Sequence, residues 1–120
     1  MIPVDLTEKF ALVTDYWHPH VVGELNGQLV KLARGKGELP MHHHAAEDEL
    51  FLVHRGELRL RFADGSHVDI GAGQFYIVPA GVDHQPIARE EVEIVLFEPA
   101  STAHTGNVVV AETRTDLPRI

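Results

Sequence analysis

The sequence predicts an all-β domain, a sandwich or a barrel. Three observations carry that expectation. Short apolar-rich segments recur at intervals of about 8–12 residues between Val21 and Phe97, with Gly, Pro and Asp between them. Asn26-Gly27 stands between two such segments, and this pair favours a two-residue hairpin turn because both central positions require positive φ. Helical and strand-like segments do not alternate along the chain, which argues against a parallel sheet built from crossover units.

Taken in order, Asp5–Asp15 reads as a short helix. Asp5 would be its N-cap, Glu8 stands three residues on as in a capping box, and Leu6, Phe10 and Val13 would share one face. Val21–Leu25 and Gln28–Ala33 form the hairpin around Asn26-Gly27, and Gly35 and Gly37 break the next stretch. Glu49–His54 and Glu57–Phe62 flank Arg55-Gly56. In the second of these, Leu58, Leu60 and Phe62 alternate with Arg59 and Arg61, a half-buried strand with its arginines in solvent. Ser66–Ile70, Phe75–Val78, Gln85–Arg89 and Val92–Phe97 complete the set, with Glu90-Glu91 separating the last two. Val108–Val110 is a candidate further strand. The rest of Ser101–Ile120 is polar and limited by Pro118, and is expected to gain order from a partner subunit.

A chain of 120 residues is a single domain, 1–120, with the barrel-like part at about 25–100 and an arm at each end. The formal charge is -8, and scattered Lys and Arg in an acidic chain offer no footprint for nucleic acid or an anionic membrane. No segment approaches the roughly 18 apolar residues of a membrane span, and the first residues lack the basic-then-apolar pattern of a signal peptide. The expected compartment is the cytoplasm. There is no cysteine, so any metal must be bound by nitrogen and oxygen.

Nine histidines are many for this length, and four look placed. In His42-His43-His44-Ala45-Ala46-Glu47-Asp48-Glu49, an extended backbone puts His42 and His44 on one face and His43 on the other. Two imidazoles on one face grip a divalent ion, and a carboxylate widens the choice of metal toward Mn. Glu49 opens the next strand and can be carried back over the pair. His84, just after the turn Pro79-Ala80-Gly81, is the best remaining ligand. Glu47 and Asp48 read as solvated and His43 as a surface residue. His18 and His20 repeat the one-residue spacing, but Pro19 lies between them and the segment reads as a loop. His104 stands in no pattern. Phe51, Phe62, Phe75 and Tyr76 lie on strands, and Tyr76 is the one catalytic candidate, conditional on its strand face pointing inward.

Together these residues resemble the cupin family. His42, His44, Glu49 and Gly56 match the spacing of its first motif, and Gly73, Pro79, Gly81 and His84 match its second. Lys36 stands where the first motif usually opens with Gly, and Ala88 where the second usually ends in Asn; neither position is a ligand. The resemblance implies a double-stranded β-helix, a jelly-roll barrel of about six to eight strands. It implies one divalent metal (Zn, Fe, Mn, Ni or Co) on His42, His44, Glu49 and His84. It also implies a small-molecule ligand in the barrel and chemistry of isomerase or dioxygenase type; the alternative is a barrel that captures a small ligand without turnover. A sugar-phosphate isomerase should show clustered Lys and Arg at the barrel mouth, and the sequence has no such cluster. Exposed sheet edges and the two terminal arms suggest a homodimer.

Overall fold

The computed structural model describes residues 2–120. Among these residues it holds α1 (Leu6–Phe10), β1 (His20–Leu25), β2 (Gln28–Glu38), β3 (Glu49–Arg55), β4 (Glu57–Phe62), β5 (His67–Gly71), β6 (Phe75–Val78) and β7 (His84–Pro99). The chain is thus all-β apart from one short helix, and every strand pairing is antiparallel.

The helix is shorter than the sequence suggests. Asp5 does cap it, accepting the Glu8 N–H at 3.0 Å. It stops at Phe10, where Phe10 O accepts the Val13 N–H at 3.0 Å in a tighter turn and the Arg34 guanidinium donates to Phe10 O and, beyond the helix, to Val13 O, each at 2.8 Å. The chain then bends, which lets Val13 join Phe10 and Leu32 in a fully buried cluster. The hairpin forms as expected: Asn26 and Gly27 have φ of 51° and 77°, and Leu25 pairs with Gln28.

Gln85–Arg89 and Val92–Phe97 are not separate strands. They are parts of the 16-residue β7. β2 pairs with β7 along nearly its whole length, from Gln28↔Pro99 to Glu38↔Ile87. The register shift between Gly35 and Gly37 leaves Arg89, Glu90 and Glu91 opposite Lys36 alone. Such a bulge bends a strand without ending its pairing. On its other edge β7 pairs first with β4, through His84–Ile87, and then with β3, through Glu93–Phe97. This bent strand joins the order β1-β2-β7-β3-β6 to the β4-β5 pair. The core lies between the two groups of strands and includes Phe51, Val53, Leu58, Leu60, Ile70 and Ile94.

The C-terminal arm differs from the expectation in two ways. Val108–Val110 is not a strand: it lies in a series of turns held by the Thr105 hydroxyl, and Val109 is 88% exposed. The end of the arm is ordered on its own chain. Val21 N–H donates to Pro118 O at 2.8 Å and Ile120 N–H to Val21 O at 3.0 Å, which adds a short parallel segment beside β1. No helix among the described residues is long and apolar enough to cross a membrane.

Candidate metal centre

The segment between β2 and β3 supplies the first half of the site. His42 and His44 are buried, while His43 is half-buried and turned toward Asp83, with Nδ1 2.8 Å from Oδ1. The predicted alternation therefore holds, although only His42 makes a sheet-like bridge. That bridge is to His84. His42 N–H donates to His84 O at 3.0 Å, and His84 N–H donates back to His42 O at 2.8 Å. The two histidine segments, some forty residues apart, are joined through their backbones. Gly81 N–H, from the turn before His84, donates to His44 O at 2.8 Å. Asp48 is exposed but tied down, since its carboxylate accepts the Ala80 N–H at 2.8 Å. Glu47 accepts the Ser101 hydroxyl at 3.1 Å.

One ring nitrogen from each of His42, His44 and His84 lies within 4.8 Å of the other two. The backbone decides the tautomers of two of these rings. His42 Nδ1 is 2.8 Å from Pro40 O, and His84 Nδ1 is 2.9 Å from Val82 O. A carbonyl only accepts, so each Nδ1 carries the proton and each Nε2 turns a lone pair into the cluster. Glu49, at the start of β3, places Oε1 3.3 Å from Nε2 of both His44 and His84. Both His44 nitrogens, His84 Nε2 and Glu49 Oε1 are buried without a hydrogen-bond partner. Orphaned buried groups cost about 1–3 kcal/mol each. Convergent lone pairs of nitrogen and carboxylate oxygen fit a divalent cation, so these four residues could hold one.

Charge reinforces the arrangement. Burial, with the neighbouring imidazoles, pulls the His42 pKa down to about 4 and keeps the ring neutral. Burial alone would raise Glu49, but the adjacent Glu98, His44 and His84 side chains outweigh it and hold its carboxyl well below the usual range. Glu98 moves the other way: burial and the adjacent Glu49 charge raise its pKa well above the usual range, against the pull of Lys31. Lys31 Nζ donates to Glu98 Oε1 at 2.7 Å, and both side chains are sealed from solvent. Sequence reasoning did not single out Lys31 and Glu98. The available signal was phase, because Lys31 shares the buried face of β2 with Leu29 and Ala33, and Glu98 shares that of β7 with Ile94 and Leu96.

Beside the cluster is a small cavity of about 30 Å³, lined by His42, Glu49, Trp17, Leu39, Phe51 and His104, among others. Phe51 stands edge-on to His84 at 5.8 Å. His104 comes from the C-terminal arm, which crosses this end of the barrel. The arm is fastened by two bonds with His43: Asn107 N–H donates to His43 O at 3.1 Å, and His43 N–H donates to Asn107 Oδ1 at 2.9 Å. Gly106, at φ 56°, approaches so closely that a Cβ there would lie 2.2 Å from His43 O. Under the arm is a larger groove of about 560 Å³ reaching Lys31, Thr102 and Arg114.

Other candidates lie outside the cluster. Tyr76 pairs with Phe51 and so faces inward, but it packs near Phe62 and lines a separate groove with Val68, Asp69 and Gln74. Arg59 is exposed and paired twice with Asp69, and Arg61 is exposed. His18 and His20 sit at the entry to β1. His20 Nδ1 meets His18 O at 2.7 Å and His18 lies 3.6 Å from Asp15, so neither joins the three-histidine group.

An antiparallel double-sheet barrel enclosing a three-histidine cluster defines the class of protein. The cupin domain family model matches residues 28–98, and the chain belongs to the cupin family. A cupin-2 domain protein from Shewanella frigidimarina has a similar structure, with a TM-score of 0.78 and 38% identity over 80% of this chain and 93% of that one. The Bacillus subtilis protein YdbB is 38% identical over 64 residues. That match covers 53% of this chain and 57% of YdbB, so the chain spans little more than half of that curated relative. A hydroquinone 1,2-dioxygenase from a Sphingomonas species, solved with 4-hydroxybenzoate bound, shares the fold at 20% identity and a TM-score of 0.73. The match covers 84% of this chain and 33% of that one.

Proposed function

We propose that this chain is a divalent-metal cupin whose ion is held by His42, His44 and His84, with Glu49 as the fourth ligand. The supporting observation is the convergence of buried, unpartnered lone pairs from three strands and loops onto one point. A bound ion with open positions would supply Lewis acidity or, if iron, a place for O2. The chain's own residues would set what reaches it. Pro40 O and Val82 O fix the ring orientations, Glu98 and Lys31 back Glu49, and the arm keeps bulk water away.

We further propose a small-molecule metalloenzyme of dioxygenase rather than isomerase type. Shifting a proton in an isomerase calls for a base beside the site, and Tyr76 lines a different groove. A phosphorylated sugar calls for free cations, and Lys31 is engaged by Glu98. The walls of Trp17, Leu39 and Phe51 are apolar, and the space of about 30 Å³ between them is of a size for O2 beside the ion. The dioxygenase relative supports this version at the level of fold alone. The small cavity favours a second reading, capture of a small ligand without turnover.

Elemental analysis of protein purified without added metal tests the first proposal. Wild type and His43→Ala should carry about one ion per chain and His44→Ala little. A wild type that carries none and cannot be loaded would overturn it. Oxygen uptake by the Fe(II)-loaded protein with hydroquinone separates the other two readings. Sustained uptake supports the enzyme, and stoichiometric binding without uptake supports capture.

We also propose that two copies associate through β6, an edge strand in the sheet order that exposes Phe75 (59%) and Ile77 (48%). Sedimentation of wild type against Phe75→Ser tests this, and a monomeric wild type would refute it.

A further inference from the structure

His104 has a property that its place on a turn-rich arm does not predict. Its Nδ1 accepts the backbone N–H of Arg114 at 2.9 Å. An imidazole that accepts at Nδ1 is neutral and carries its one proton on Nε2. Among the described residues Nε2 has no protein partner. The ring lines the same cavity as His42 and Glu49, where the other walls are mainly apolar. The cavity, at about 30 Å³, has room for one or two water-sized groups. His104 also lines the larger groove under the arm, so this neutral imidazole stands on the wall between that groove and the small space beside the histidine cluster.

We propose that His104 is a ligand-positioning residue whose Nε2–H donates a hydrogen bond to a water oxygen or small anion held beside His42 and Glu49. This rests on the metal reading above, because the same occupant would take up an open position on the ion. The donor favours an anionic or oxygen-bearing group over an apolar one. The arm thus supplies part of the site as well as covering it.

The test uses two replacements with opposite effects. His104→Asn keeps an acceptor near the Nδ1 position, and with it the Arg114 bond, but removes the Nε2–H. His104→Gln places an amide N–H near the Nε2 position and gives up the Nδ1 acceptor. Azide is titrated into the full-length Co(II)-loaded proteins and followed by the visible cobalt bands. The expected result is an azide Kd raised about tenfold in His104→Asn, the size of one ligand hydrogen bond, and restored to within about threefold in His104→Gln. Cobalt stoichiometry should be the same in all three. Wild-type affinity in His104→Asn, or equal losses in both variants, would overturn the proposal and leave His104 as an anchor for the arm.

A measurement on the wild type covers the case in which a variant fails to fold. Long-range 1H–15N spectra of the Zn-loaded protein should show the proton on His104 Nε2 and a shift of that nitrogen on adding azide. A proton on Nδ1, or an unmoved Nε2, would refute it. A wild type that binds Co(II) but not azide sinks this inference and leaves the metal reading standing. One that takes up no metal sinks both.

Discussion

Replacing Lys31 by Met would remove the cation that lies behind the candidate ligand Glu49. The Lys31 and Glu98 side chains are 2% and 3% exposed and 2.7 Å apart. Breaking a buried pair by deleting one partner costs about 3–5 kcal/mol, because the other charge is left uncompensated. Here Glu98 can escape part of that cost by taking a proton, since burial and Glu49 already raise its pKa well above the usual range and Lys31 opposes the rise. Without Lys31 the folded pKa rises further. In the interval between the unfolded and folded pKa values the folded state binds more protons, so stability falls as pH rises through it. Lys31→Met should therefore lose least near pH 4.5 and progressively more toward pH 8. At neutral pH the loss should be about 2–4 kcal/mol, somewhat below the full cost of a broken buried pair because Glu98 takes up part of it by binding a proton. Urea unfolding of metal-free wild type and variant at several pH values measures this directly. A loss below about 1 kcal/mol that does not change with pH would refute the reasoning, because it would mean that water reaches Glu98.

Further outcomes rest on the same geometry. Metal-free wild type should lose stability as pH falls from about 7 toward 4, because His42 is held at about 4 when folded and returns to about 6.5 when unfolded. The stabilisation is complete above the unfolded value and lost on the way down to the folded one, up to about 3 kcal/mol for this group. Urea midpoints in EDTA at pH 7, 5.5 and 4.5 for wild type and His42→Phe check it, and the same pH slope in both would count against a buried neutral His42. Gly106→Ala should displace the arm, because its Cβ would meet His43 O at 2.2 Å. The expected result is a cost of about 1–3 kcal/mol and faster proteolysis between residues 101 and 117, with the barrel intact; an unchanged cleavage pattern would show that the arm is not fastened there. Asp5→Ala should cost about 1 kcal/mol through the lost cap, as thermal melts would reveal, with no effect on metal content.

Much of the fold was legible because it is local. Strand alternation in Glu57–Phe62 needs only neighbouring residues, and so does the positive φ of Asn26-Gly27. The separation of His42 and His44 from His43 follows from an extended backbone, without regard to what lies opposite. Errors arose where the partner decides the outcome. Glu90-Glu91 reads as a break, but the opposite strand absorbs the extra residues and β7 continues through them. The helix ends at Phe10, and Arg34 from β2 holds the chain beyond it by donating to Phe10 O and Val13 O. Val108–Val110 has the composition of a strand, but the Thr105 and Thr113 hydroxyls take its Val108 carbonyl and Val110 N–H instead of a neighbouring strand.

By itself the sequence determined the class of fold, the donor types a metal would meet and the phase that turns His42, His44 and Glu49 inward. These are consequences of backbone period, turn chemistry and the absence of cysteine. Only the tertiary structure decided that His84 bonds directly to His42 through the backbone, that Lys31 and Glu98 are sealed together behind Glu49, and that His104 reaches the cavity from the arm. Each of these depends on burial and on partners dozens of residues away. The spacing of side chains along one strand carries no information about what another strand will place against them.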